Sequence, residues 1–197
     1  MKNNVENLMI GVKNGKFFRK RVSRAPFGES FVIQLRDIER NPNGNSLDMS
    51  QVIRTSDSSI KKSDYLKKGD VLVTVKGVHK HALLLKDVPT KTVVTHHLLI
   101  LRSPDTLRIL PEFIEFVVNL DESQRWFDRK CGGTYNSILN KDTLLALPFP
   151  NITIEKQKKI IELANEVKEE KSLLLELINN RDMQLKAYTA RLIREDR

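Results

Sequence analysis

Gly132-Gly133-Thr134-Tyr135-Asn136-Ser137-Ile138-Leu139-Asn140, then Leu144-Leu145-Ala146-Leu147-Pro148-Phe149-Pro150 and Asn151-Ile152-Thr153-Ile154-Glu155-Lys156-Gln157, is the stretch that decides the architecture. It reads as a glycine turn, a short apolar strand, a proline stop and a capped helix start. Gly132 and Gly133 suit backbone geometry that other residues resist. Pro148 and Pro150 cannot donate backbone hydrogen bonds, so they end a strand and set the chain's exit. Thr153 is placed to cap the following helix by accepting a first-turn N–H.

Downstream of Pro150 there is no further proline or glycine. Ile160, Ala164, Val167, Leu174, Ile178, Leu185, Tyr188 and Leu192 follow in steps of three and four, with Lys171 and Arg181 interrupting the seam. The pattern predicts one helix of about 40 residues, roughly 60 Å long at 1.5 Å per residue. A helix of that length outruns a domain of about 150 residues, so its far half needs a partner helix. Ile160, Val167, Leu174, Ile178, Leu185 and Tyr188 are the expected dimerisation residues. The boundaries implied are a globular domain over 1–152 and a spacer helix over 153–197.

Upstream, the reading is strand-rich. Residues 1–30 carry turns at Asn14-Gly15 and Pro26-Phe27-Gly28 and a basic run, Arg19-Lys20-Arg21. Phe31 to Leu35, Val71 to Val75, His81 to Leu85 and Thr92 to Leu101 have strand composition. Arg40 to Asn45 is a turn or loop, and Lys67-Lys68-Gly69-Asp70 is a tight turn feeding the strand after it. Pro111 to Asn119 has helical spacing, with proline in the first turn. The fold class expected is α+β: a mixed, strand-rich domain followed by a long helix.

Composition narrows the function classes. Of 197 residues, 40% are hydrophobic and 30% charged, which describes a folded domain rather than a disordered chain. The apolar run at Thr92 to Leu101 is broken by His96 and His97 and is too short to span a bilayer, so no membrane partner is expected. No secretory signal is visible, and the single cysteine, Cys131, fits a reducing, cytoplasmic setting. Residues 153–197 hold 10 Lys/Arg and 9 Asp/Glu, whereas the preceding 152 hold 24 and 16. Nearly all of the net +9 therefore sits on the globular part, which suits a polyanion through counterion release.

The order of these elements resembles the target-recognition domain of specificity subunits in type I restriction-modification systems. The Gly-Thr turn, the leucine-rich segment before Pro-Phe-Pro and the Glu155-Lys156-Gln157 helix start match the end of that domain. Leu66-Lys67-Lys68-Gly69-Asp70-Val71-Leu72-Val73 is similar to the family's Gly-Asp element, and Val32 to Ile38 to its Asp-Ile strand exit. Leu98 to Arg102 followed by Ile109 to Phe113 resembles its strand-then-helix step. The similarity runs from about residue 30 to 180. It implies a non-catalytic subunit that reads double-stranded DNA for a DNA methyltransferase subunit, with a restriction subunit as a further partner. The family's usual subunit has two recognition domains and two long helices, whereas one of each is visible here. A homodimer, or pairing with another half-subunit, is the expectation.

No enzyme motif competes with that reading. Neither a P-loop nor Gly-x-Gly-x-x-Gly is present, and Asn41-Pro42-Asn43-Gly44 lacks the second proline and aromatic of an adenine methyltransferase. No cofactor is expected. Pro104-Asp105 with Glu166-Val167-Lys168 superficially suggests a nuclease, but the Glu and Lys fall on the spacer helix. His79, His81, His96, His97 and Cys131 lack a zinc-type cysteine pair, so no metal is assigned. Loops rich in Arg, Lys and Asn are the candidates for base and phosphate contacts. They are Arg40 to Ser50, Val75 to His81 (Lys76, His79, Lys80) and Arg125 to Asn136 (Arg125, Arg129, Lys130, Thr134, Tyr135, Asn136). The competing reading is a coiled-coil assembly protein without sequence-specific DNA readout.

Overall fold

The computed structural model describes residues 3–6, 8, 10–39, 47–77, 79–103, 105–132 and 138–195. The chain divides into two compact units, Met1–Gln157 and Lys158–Arg197. In order, the elements are β1 (Asn3–Asn4), β2 (Gly11–Asn14), β3 (Ser30–Ile33), α1 (Leu35–Glu39), β4 (Ile53–Thr55), a 3-10 turn (Lys62–Asp64), β5 (Val71–Thr74) and β6 (Ala82–Leu84). They continue as β7 (Thr92–Val94), β8 (Leu98–Arg102), α2 (Pro111–Asn119), α3 (Asp121–Cys131), α4 (Lys141–Leu145), β9 (Pro148–Phe149) and α5 (Ile154–Glu195). This is the α+β class expected from the sequence.

The first unit is built on a four-stranded antiparallel sheet in the order β2-β8-β5-β6. A three-stranded sheet, β4-β3-β7, packs beside it, with β3 and β7 parallel. Every residue of β5 is buried, as expected of a central strand covered on both faces. Register and alternation divide its side chains. Leu72 lies opposite Leu83 and Ile100, and these join Ile33, Val94, Leu98, Ile38 and Val52 in one core cluster. The strands' alternate residues face the other way, on the side of α2 with its buried Phe113, Ile114, Val117 and Val118.

The edge strand β6 meets helices instead of a fifth strand. Leu84 N–H donates to Glu115 Oε1 at 2.9 Å, and Ala82 exchanges two 2.9 Å bonds with the Asn119 amide. Lys80 N–H donates to Gln124 Oε1 at 2.8 Å, while Gln124 Nε2 reaches the Lys80 carbonyl at 3.2 Å. Residues 80, 82 and 84 point their backbone groups outward at strand period, and three side chains from α2 and α3 satisfy them. That closes an edge which would otherwise invite pairing with another chain.

Several expected elements differ. The strand over Phe31 to Leu35 stops at Ile33, because Asp37 Oδ2 accepts the Gln34 N–H at 2.8 Å and starts α1. Thr92 to Leu101 is two strands, with the chain turning at His96-His97. The leucine-rich segment before Pro148 is the short helix α4. It is capped by Asn140, whose side chain accepts the Thr143 N–H at 2.7 Å, and strand pairing is left to Pro148–Phe149 against β1. Arg125 to Lys130 is helix, not loop: acidic Asp121 and Glu122 open α3, Arg129 and Lys130 close it, and Gly132 ends it at φ 87°. The Arg40 to Asn45 turn lies outside the described residues.

The Lys67–Asp70 turn has Gly69 at φ 87°. Asp70 is fully buried, accepts the Lys67 N–H at 2.8 Å and receives Arg102 through two bonds of 2.6 and 2.7 Å. A bidentate pair of this kind ties the turn to the end of β8. At the start of α5, Gln157 is only 2% exposed. Its Nε2 donates to the carbonyls of Arg108 (3.0 Å) and Ile152 (3.1 Å), and its Oε1 accepts the Leu110 N–H at 3.0 Å. The glutamine of the Glu-Lys-Gln start is thus a clamp on the segment leading into α2.

The second unit is the remainder of α5, without break to Glu195. Its seam residues Val167, Leu174, Ile178, Leu185, Tyr188 and Leu192 are all exposed, Leu174 and Ile178 by 52% and 56%. Ile160 is half-buried. Among the described residues, no helix is long and apolar enough to cross a membrane.

Candidate nucleic-acid interface

Register places three connections at one end of the four-stranded sheet. Thr74, at the end of β5, lies opposite Leu98 at the start of β8, and Asn14, at the end of β2, lies opposite Leu99. The β5–β6 loop (75–81), the His96-His97 turn and the segment from Gly15 onward therefore emerge together. Backbone bonds lock them: Val75 N–H to His97 O at 3.0 Å, His96 N–H to Lys16 O at 2.9 Å, and Gly15 N–H to Leu98 O at 2.9 Å. Gly15 is required by space, since a Cβ there would sit 2.1 Å from the Thr95 carbonyl oxygen.

The same end gathers much of what sequence reasoning had singled out. Leu139, just beyond the 133–137 segment, donates its N–H to the Val75 carbonyl at 2.9 Å. Gln124 of α3 brackets Lys80 as described above. Glu39, the last described residue before the 40–46 segment, is close enough to act electrostatically on His81. Thus the 75–81 loop and the surroundings of the other two candidate segments meet, although they are scattered along the chain.

Individual candidates fall differently. Lys76 and His79 are exposed, as are Arg125, Arg129 and Lys130, the first two one helical turn apart on α3. Lys80 is turned inward, 2% exposed, with its ammonium donating to the Gly77 carbonyl at 2.8 Å. Burial pushes its pKa down, partly offset by Cys131 and Asp128. Its place is inside the loop, bracing the turn at Gly77 (φ 106°), rather than on the surface where a phosphate would meet it. Thr134, Tyr135 and Asn136 lie outside the described residues.

Two of the imidazoles at this end have lowered pKa values. Burial lowers the His97 pKa, and His96 and Lys76 lower it further. Burial and His79 lower that of His81, against an opposing effect of Glu39. Thr74 Oγ1 accepts the His81 N–H at 2.9 Å, stiffening the loop base.

Sequence reading set His96 and His97 aside with the unassigned metal candidates and overlooked Phe17. The rings of Phe17 and His96 are 5.1 Å apart and those of His96 and His97 4.0 Å apart. The basic run that follows, Arg19, Lys20 and Arg21, is exposed. The available signal was the pair of polar residues interrupting an apolar run, which marks a turn as well as it marks a ligand.

No family model matches the chain, and no curated relative does. Solved structures do. The chain is similar to the S subunit of a type I restriction-modification system from M. genitalium, at 17% identity and a TM-score of 0.56, over 91% of this chain and 41% of that one. A second match comes from a structure describing complex assembly and conformational transition of the type I R-M system. There the identity is 12% and the TM-score 0.58, over 88% of this chain and 39% of that one. At these identities what is shared is the fold. The chain spans about two-fifths of the length of each.

Proposed function

We propose that this chain is a non-catalytic, sequence-specific DNA-recognition subunit of a type I restriction-modification system. In this reading it directs a DNA methyltransferase, and a restriction subunit where one is present, to a bipartite target. The observation that carries the reading is the fold likeness to an S subunit over 91% of the chain, strand-rich unit and long helix together. The loops meeting at one end of the sheet support it: they set exposed Lys76, His79 and the α3 cations on a stiff base. Arg and Lys there would position phosphates, and ring and amide groups would read base edges in the major groove. Cytoplasmic work beside DNA follows from the same reading.

The long helix supplies the second half of the proposal. Its apolar seam is exposed, so the helix gains most by pairing with another helix, from a second copy or from another half-subunit. Two identical readers related by a dyad would see an inverted repeat of short half-sites with an unread gap.

Selection of bound sequences from a random duplex pool tests the reading directly. Enrichment of a short motif, with binding that weakens steeply from low to physiological salt, is expected. No enrichment and salt-insensitive affinity would favour the coiled-coil assembly reading. Methylome sequencing of the host then tests the dyad: a continuous motif, or one with unrelated halves, rules out recognition by a homodimer.

A further inference from the structure

We infer that Phe17, His96 and His97 form a base-reading edge for double-stranded DNA, with Lys76 beside them as its phosphate anchor. The inference rests on the DNA-recognition reading and deepens it, naming contacts that neither the motifs nor the fold likeness assign.

Three observations lead there. First, Phe17 is 67% exposed, yet it is not a scattered surface apolar residue: its ring lies against His96, which lies against His97. Second, the backbone that carries the ladder is tied down. The His96 N–H is held by the Lys16 carbonyl, the His97 carbonyl by the Val75 N–H, and Gly15 lets the two segments touch. The side chain of Lys16 is held in turn by Asp64 at 3.2 Å and the Ser59 carbonyl at 2.6 Å. A backbone fixed before binding has little freedom left to lose on contact. Third, the ladder shares its end of the sheet with exposed Lys76, whose charge acts on His97, and the chain runs on from Phe17 into the exposed basic run Arg19-Lys20-Arg21.

The chemistry selects bases over phosphates. A phenyl ring cannot neutralise a phosphate but packs well on a thymine methyl. A neutral imidazole has one donor and one acceptor nitrogen, enough to meet a purine N7 or an exocyclic amino group. Burial, and then the adjoining His96 and Lys76, lower the His97 pKa, which disfavours its charged form. A metal fits less well, because among the described residues no three His, Cys, Asp or Glu side chains converge.

The test compares the full chain with Phe17→Ala and His96→Ala, both exposed positions whose backbone bonds survive truncation. Phe17→Leu serves as a shape control. Each protein is put through selection from a random duplex pool, then titrated with the selected duplex and with a scrambled duplex across salt concentrations. The expected result is about tenfold weaker binding to the selected duplex for either alanine variant, and relaxed preference at one or two base positions. Affinity for the scrambled duplex should change by less than about twofold, and the salt slope should hold. Lys76→Ala should do the opposite, weakening both duplexes alike and flattening the slope. Alanine variants that keep parental motif and affinity overturn the inference and leave the ladder to a protein partner. Uniform loss on both duplexes also overturns it, in favour of a phosphate contact. If the parent itself enriches no motif, the DNA-recognition reading fails, which is a distinct result.

Discussion

Replacing Gln157 should unfasten the start of α5 from the segment leading into α2. Its amide donates to two carbonyls, Arg108 and Ile152, and accepts one N–H, from Leu110, at 3.0 to 3.1 Å, in a site only 2% exposed. Gln157→Leu fills similar space but deletes all three bonds. At about 1 kcal/mol net each, with more for a buried group left unsatisfied, the loss should be about 3 kcal/mol. Gln157→Glu is the sharper probe. Its carboxylate could still accept from Leu110, but it would turn lone pairs toward two carbonyl oxygens in a place water barely reaches. Ionised, it should cost about 4 kcal/mol or more. Protonated, it can donate to one carbonyl, so its folded pKa is raised above the unfolded value. The folded state then binds more protons than the unfolded one, and by linkage the variant's stability falls as pH rises above the ordinary glutamate range. The chain has a single tryptophan, Trp126 on α3 within the same unit, so urea titration followed by its fluorescence reports on this unit. A loss of about 3 kcal/mol moves the midpoint by about 1 to 3 M. Gln157→Glu matching the parent at pH 7, or showing a deficit that does not shrink on acidification, would refute the clamp.

Three further outcomes follow from other contacts. Arg102→Ala strands the Asp70 carboxylate, whose side chain is 1% exposed, while the Lys67 N–H still donates to it at 2.8 Å; denaturation should show a loss of about 3 kcal/mol, the low end for a broken buried pair because Arg102 is itself half-exposed, and a loss below about 1 kcal/mol would contradict a stabilising role for that pair. Charged replacements at both Leu174 and Ile178 should abolish helix pairing while Trp126 fluorescence stays native, and sedimentation identical to a self-associating parent would show the seam is not the contact. His81 and His97 both have folded pKa values below the ordinary imidazole value, so the unfolded chain takes up their protons first as pH falls; stability should be fully present above about pH 6.5 and decline below it, and a higher Tm at pH 5.5 than at 7.5 would reverse the sign argued here.

Much of the fold was legible where local chemistry and tertiary packing agree. The β-branched run after Gly69-Asp70 is the central strand, Pro111 opens a helix that ends at Asn119, and the seam beyond Thr153 is one continuous helix. Each misreading has its own local cause. α3 reads Asp-Glu-Ser-Gln-Arg-Trp-Phe-Asp-Arg-Lys-Cys and fully buries only Ser123 and Phe127, so too few apolar positions mark its period. α4 has five residues, fewer than periodicity needs, and depends on an Asn140 cap that looks like loop composition. Phe31 to Leu35 reads as one strand because a single Gln34 can alternate within a strand pattern that resumes at Leu35, whereas the stop at Ile33 is made by an aspartate three residues past Gln34.

The candidate interface was legible in part for a different reason. Lys76 and His79 could be named because the basic and polar side chains of Val75 to His81 fall between two runs of strand composition. Lys80 stands in the same loop with the same charge, yet faces inward. Its direction depends on Gln124, 44 residues away, which holds its backbone from α3. Phe17 and His96 are separated by nearly eighty residues and share no local pattern. What joins them is the order β2-β8-β5-β6, which aligns the end of one strand with the start of another. A turn's length and polarity are written locally, but its neighbours are fixed by register. Register here is set by which apolar residues must lie opposite Leu72, so the composition of the interface is decided in the core beneath it.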